Sequence, residues 1–143
     1  MSYTINVKLI QTNPEAWFEI VEKTVFHYAN GGTWTEKQNM QVLTMGGSGT
    51  SGLLRLQHIG DPTHIVAFVL GVHNYEHWSG IATALTPGQT GVEIHPTYYA
   101  GGERSKDFTL GATNEKADSW GRKYKVDFYK KEGNTFDATI TIS

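Results

Sequence analysis

Residues 122–143 read RKYKVDFYKKEGNTFDATITIS. In the first half, Tyr124, Val126 and Phe128 alternate with Lys123, Lys125 and Asp127. In the second, Phe136, Ala138, Ile140 and Ile142 alternate with Asp137, Thr139 and Thr141. Successive side chains of a strand point to opposite faces, so a period of two marks a strand with one face in a core and the other in water. The four residues KEGN (131–134) between the halves suit a short glycine-containing turn. The pair therefore folds as an antiparallel hairpin.

The same period recurs upstream. In YTINVKL (3–9), Tyr3, Ile5, Val7 and Leu9 face one way and Thr4, Asn6 and Lys8 the other. VEKTVFHYA (21–29), GLLRLQH (52–58) and HIVAFVLGV (64–72) are further strands, the last apolar enough to be buried on both faces. Between 76 and 85 the period changes: EHWSGIATAL sets Trp78, Ile81, Ala82 and Leu85 at i, i+3, i+4 and i+7, the stripe of a short helix ended by Pro87 and Gly88. A second helical turn is expected near HPTYYA (95–100). Strands dominate and strand–helix–strand alternation is absent. The expectation is a mainly β chain, one domain over 1–143, built as a two-layer antiparallel sandwich with a little helix in one crossover.

Composition narrows the function. A net charge of -2 gives no pull toward nucleic acid or anionic lipid, so neither nucleic-acid binding nor stable membrane insertion is expected. The chain has no cysteine, which removes disulfides, thiol catalysis and cysteine metal sites. MSYTINVKLIQTN at the start lacks the basic flank and apolar run of a signal peptide. IVAFVLGV (65–72) is too short to span a bilayer, and no N-x-S/T acceptor occurs. A cytoplasmic location is the expectation.

Several motifs invite chemistry and fail. In TMGGSGTSGLLRL (44–56), Gly47, Gly49 and Gly52 match G-x-G-x-x-G. A dinucleotide site needs a helix after the glycines to receive the phosphates, but LLRLQHIGDP (53–62) alternates and then turns at Asp61-Pro62. A nucleophile elbow, G-x-S-x-G, is not completed around Ser48 or Ser51, because Thr50 and Leu53 stand where its last glycine belongs. His73 and His77 lie four apart, yet His73 falls at a strand end and no Glu follows it; a hydrogen-bonding histidine is the simpler reading, and no metal is expected. No spacing pairs two carboxylates for acid–base work. The chain is not read as an enzyme, and no cofactor is expected.

Three other segments share a positive signal. HYANGGTW (27–34), GGSGTSG (46–52) and GVHNYEHW (71–78) each combine small polar residues, open main chain and an amphipathic ring at a strand end. Brought together they offer backbone N–H and C=O groups, Ser and Asn for sugar hydroxyls, and rings for pyranose C–H faces. Composition alone leaves a second reading open, that these are ordinary loops of a sandwich.

YANGGTW (28–34), VLTMGGSGTSG (42–52) and GVHNY (71–75) closely resemble blocks of the fungal fruit body lectins, a family with an actinoporin-like β-sandwich. Weaker agreement through SYTI (2–5), QTNP (11–14), VEKTV (21–25) and EGN (132–134) extends the likeness over the whole chain. The resemblance implies sheets of six and four strands joined by a short helix-loop-helix, and a homodimer or homotetramer. It implies metal-free binding of glycans and glycoproteins bearing Galβ1-3GalNAc, the Thomsen-Friedenreich antigen, by a cytoplasmic protein of fungal defence. The family's galactosyl site maps onto Ala29, Ser48, Gly49 and Asn74, flanked by Asn30, His73 and Tyr75, with every residue type retained.

The family's second site, selective for GlcNAc, maps onto Gly80, Ile81, Thr83, Arg104 and a position near Asn114. There the chain departs: Gly80 stands where the family has Asp, Ser79 where it has Cys, and Asn114 near the expected Tyr. Charged hydrogen bonds are the stronger class, so losing the carboxylate implies a weakened or absent site. The actinoporin-like fold also raises a rival, a membrane-active pore former; that function needs an amphipathic N-terminal helix, whereas residues 3–9 alternate as a strand. A storage or structural protein with vestigial sites is a third reading.

Overall fold

The computed structural model describes residues 2–26, 31–99 and 101–143. Its strands are β1 (Tyr3–Gln11), β2 (Phe18–Phe26), β3 (Gly32–Lys37), β4 (Met40–Met45), β5 (Ser51–His58), β6 (Asp61–His73), β7 (Glu76–Ala82), β8 (Thr109–Leu110), β9 (Thr113–Ala117), β10 (Lys123–Glu132) and β11 (Thr135–Ile142). A short helix, α1 (Gly91–Ile94), runs into a 3-10 turn at His95–Tyr98. The strands form a six-stranded sheet, β3-β4-β1-β11-β10-β9, and a five-stranded sheet, β2-β5-β6-β7-β8. The resemblance implied four strands in the second sheet. The fifth, β8, is two residues long and pairs only with Trp78 and Ser79.

The hairpin at 122–143 folds as its period requires. β10 and β11 pair antiparallel around Gly133, which takes a φ of 61°. The sandwich is not antiparallel throughout, because β1 and β11 run parallel. These are the first and last strands, and their register sets Ile5, Val7 and Leu9 beside Phe136, Ala138 and Ile140 on one inner face. β1 is also laddered to β4. The N-terminal segment is thus a central strand, and entering a bilayer as a helix would break both ladders.

Two cores follow from two covered faces. Between the sheets, Ile5, Phe68, Leu70, Ile81, Tyr124 and Phe136 belong to one cluster. On the outer face of the five-stranded sheet, Leu53, Ile65, Val69 and Trp78 pack under Leu85, Ile94 and Tyr98 of the helical segment. β6 serves both: Val66, Phe68 and Leu70 face inward, and Ile65, Ala67 and Val69 face the helical layer.

The helical stripe expected over 76–85 is overturned. Residues 76–82 are β7, paired antiparallel with β6 from His73↔Glu76 to Ala67↔Ala82. Trp78 and Ala82 lie in the outer cluster and Ile81 in the inner one, so they form no single stripe. A strand covered on both faces carries apolar residues at odd and even positions, which imitates a 3.6-residue period. The helix instead begins beyond Pro87, at Gly91, and the helical turn expected near 95–100 is present at His95–Tyr98.

At the end of β6 remote from His73, a polar cluster bridges the sheets. Asp118 Oδ2 accepts hydrogen bonds from Tyr124 Oη and His64 Nε2, both at 2.5 Å. Its Oδ1 accepts the amides of Trp120 and Arg122 at 2.9 and 3.0 Å. Burial pushes the Asp118 carboxyl up, but the bonds from Tyr124, His64 and the Arg122 amide outweigh it and hold the group below its ordinary value.

Candidate functional site

The glycine cluster is the crossing from β4 in one sheet to β5 in the other, with no helix after it. Gly52 opens β5, and a Cβ there would stand 2.6 Å from Cζ2 of Trp34 and 2.8 Å from a Leu43 methyl. Its match to a phosphate motif is a packing requirement: the Trp34 ring lies on the bare strand, with Nε1 donating to Thr24 O at 3.0 Å. Trp34 is therefore a structural ring.

The loop at 46–50 is tied to the β6–β7 turn at three points. Gly49 N donates to Val72 O at 2.7 Å, and Val72 N to Thr50 O at 3.2 Å. Ser48 Oγ accepts the Tyr75 amide at 3.0 Å. Gly46 N donates to Gly31 O at 2.9 Å, which brings the end of the first segment to the same place. Ser48, Gly49, His73, Asn74 and Tyr75 are thus gathered at one end of the sandwich, whereas Ala29 and Asn30 lie outside the described residues. Ser48 uses a lone pair on Tyr75, which leaves its O–H free to donate.

The turn itself is unusual. Asn74 and Tyr75 take φ of 49° and 68°, the paired left-handed conformation of a type I′ hairpin turn. Asn tolerates this region readily, but for a bulky ring it is an outlier that points toward function. The conformation leaves Tyr75 71% exposed beside the Asn74 amide. Asn74 Nδ2 meets His73 Nε2 at 3.3 Å. His77 lies elsewhere, its ring 4.6 Å from Phe128 and 5.1 Å from Phe136, so the two histidines do not share a metal site.

Beside this cluster opens a hollow of about 220 Å³. Gly49, His73 and Ser105 line it together with Trp78, Tyr98, Tyr99 and Phe108. The last three are not singled out by the sequence, although HPTYYA, expected as a helical turn, contains two of them. Tyr99 is held from behind by a buried chain of hydrogen bonds. Its hydroxyl meets Ser51 Oγ at 2.5 Å, Ser51 Oγ meets His95 Nε2 at 2.7 Å, and His95 Nδ1 meets Thr24 Oγ1 at 2.8 Å. A Ser–His pair suggests a hydrolase, but Ser51 has no exposed surface and no substrate reaches it.

Burial lowers the His95 pKa from 6.5 to about 4. Between those values the unfolded chain binds a proton that the folded one refuses, so stability falls as pH drops from about 6.5 to 4. The difference is on the order of 3 kcal/mol. Urea unfolding at pH 7 and pH 4 is expected to show wild type losing more stability than His95→Gln by roughly that amount. Contributions from acidic groups shared by both proteins cancel in the comparison.

The second-site residues do not converge on the hollow. Ile81 is buried between the sheets. Thr83 is half-buried just beyond β7. Arg104 Nη1 is committed to Thr97 Oγ1 at 3.1 Å and to Glu103 at 3.0 Å. Asn114 Nδ2 donates to Ser79 O at 3.0 Å. At Gly80 the phenol ring of Tyr98 lies on the main chain, where a Cβ would overlap its Cε1.

Known proteins share this arrangement over the whole chain. The Fungal fruit body lectin family model matches residues 1–140. The Boletus edulis lectin is 42% identical over 146 residues, spanning 100% of both chains. The crystal structure of wild-type Xerocomus chrysenteron lectin superposes with a TM-score of 0.91 at 40% identity, again over 100% of both chains. The chain belongs to the fungal fruit body lectin family and is a carbohydrate-binding lectin, not an enzyme.

Proposed function

We propose that this lectin binds Galβ1-3GalNAc on glycans and glycoproteins, at the end of the sandwich where the 46–50 loop meets the 71–75 turn. The observation that carries the reading is the clasp between them, Gly49 N to Val72 O and Tyr75 N to Ser48 Oγ. It presents a serine O–H, an asparagine amide and open main chain side by side, the donors and acceptors that match paired sugar hydroxyls. Ala29 and Asn30 complete the set by the resemblance in sequence. A glycan array tests it: signal is expected on glycans ending in Galβ1-3GalNAc, and strong binding elsewhere with none there overturns it. Assembly as a homodimer or homotetramer raises the avidity of a shallow site. A cytoplasmic protein of this kind meets external glycans on release or ingestion, which suits fungal defence.

The GlcNAc site, on the same reading, is lost. Gly80 removes an acceptor, and the Tyr98 ring takes the space where an aspartate would stand. Restoring the acid alone therefore fails. Gly80→Asp is expected to lower stability by about 1–3 kcal/mol through overpacking and to gain no GlcNAc binding. Thermal melts and a GlcNAc titration check this; GlcNAc binding gained at unchanged stability would contradict it.

A further inference from the structure

The hollow beside the clasp has a character that the galactosyl reading does not use. Gly49 and His73 belong to both, so the hollow is continuous with the sugar site. Its lining is largely aromatic: Trp78 and Phe108 meet edge-to-face at 5.5 Å, with Tyr98 6.0 Å from Trp78. A hydroxyl-poor ring leaves fewer polar atoms without partners against such a surface than a further hydroxyl-bearing sugar would. At about 220 Å³ the space is also smaller than the ~300–1,000 Å³ of sites that engulf a drug-sized ligand. It suits one apolar ring. The Tyr98 hydroxyl lies over Gly80, sealed from solvent, and offers no donor to the hollow.

We infer that the hollow is an aglycone subsite, taking an apolar, ring-sized group attached to the reducing end of the bound galactosyl ligand. The inference rests on the galactosyl reading and adds to it a preference for what the glycan is attached to. Phe108, 38% exposed, is the rim that closes over the group.

The test compares p-nitrophenyl and methyl α-GalNAc by calorimetry on wild type and Phe108→Ala. Wild type is expected to bind the nitrophenyl glycoside about tenfold more tightly, as buried apolar area predicts. Phe108→Ala should bring that ratio close to one and leave methyl glycoside affinity unchanged. Equal affinities in wild type, or an equal loss of both in Phe108→Ala, overturn the subsite while leaving the galactosyl reading intact. Failure of both glycosides to bind removes the galactosyl reading and the subsite with it. A second readout needs no change at the rim: the nitrophenyl group is expected to quench Trp78 emission on binding, an effect missing in Trp78→Phe. Saturation by the nitrophenyl glycoside with no such quenching also overturns the subsite.

Discussion

Asn74→Ala is expected to weaken binding to Galβ1-3GalNAc by about 10–100-fold, the span set by losing one or two hydrogen bonds in a partly desolvated site. Asn74 is exposed and its only described side-chain contact is with His73 at 3.3 Å, so the change should leave the fold intact. Replacing a residue at φ 49° with Ala forfeits some tolerance for that conformation, a modest cost on the order of 1 kcal/mol. Ser48→Ala removes both the sugar donor and the acceptor of the Tyr75 amide, so it should loosen the turn as well as weaken binding. On a glycan-coated surface several linked sites act together, and the loss per site is magnified. Calorimetry with soluble disaccharide therefore gives the cleaner number. If both variants bind like wild type, the assignment of the site is wrong.

The largest effect on stability is expected at Asp118. Its side chain is 5% exposed and accepts four hydrogen bonds, from His64, Tyr124 and two amides. Asp118→Ala leaves the His64 ring and the Tyr124 hydroxyl buried without this acceptor and is expected to cost about 2–5 kcal/mol, since each buried donor left unsatisfied costs about 1–3 kcal/mol. The hydroxyl of Tyr124 and the ring of His64 both lie in the interior, so water does not readily replace the carboxylate. Because the Asp118 pKa is depressed in the fold, its contribution is present above the ordinary carboxylate range and disappears as pH falls through the lowered value. Urea unfolding of Asp118→Ala and Asp118→Asn at neutral pH measures the effect. A loss below about 1 kcal/mol, the scale of a surface pair, would show that the cluster is not structural.

How far the fold can be read from the chain depends on how many faces of each strand are covered. β1, β10 and β11 have one wet face, so their period of two survives in the residues themselves. β6 is covered on both faces, and its unbroken apolar run announces this without ambiguity. β7 is covered on both faces too, but Ser79 and Gly80 interrupt its run, and the spacing of Trp78, Ile81 and Leu85 then mimics a helix. Only the pairing with β6, a contact set by tertiary structure, separates the two readings. The parallel pairing of β1 with β11 joins the chain's two ends and leaves no local trace.

The site divides in the same way. Ser48, Gly49, Asn74 and Tyr75 stand in short blocks whose small and polar character is visible along the chain. The aromatic lining is not, because Tyr99 and Phe108 reach the hollow from segments about 50 and 35 residues away from Gly49 and His73. Gly80 is visible as a missing acid. That its bare main chain is the seat of the Tyr98 ring is a fact of packing, which no pattern along the chain displays.

The most direct measurement is an amide NMR titration of the uniformly labelled protein with Galβ1-3GalNAc. Shifts concentrated at residues 46–50 and 71–75, with the amides of β9 and Arg104 unmoved, are the predicted result. Shifts confined to β7, β9 and Arg104, with Ser48, Gly49 and Asn74 silent, would contradict it.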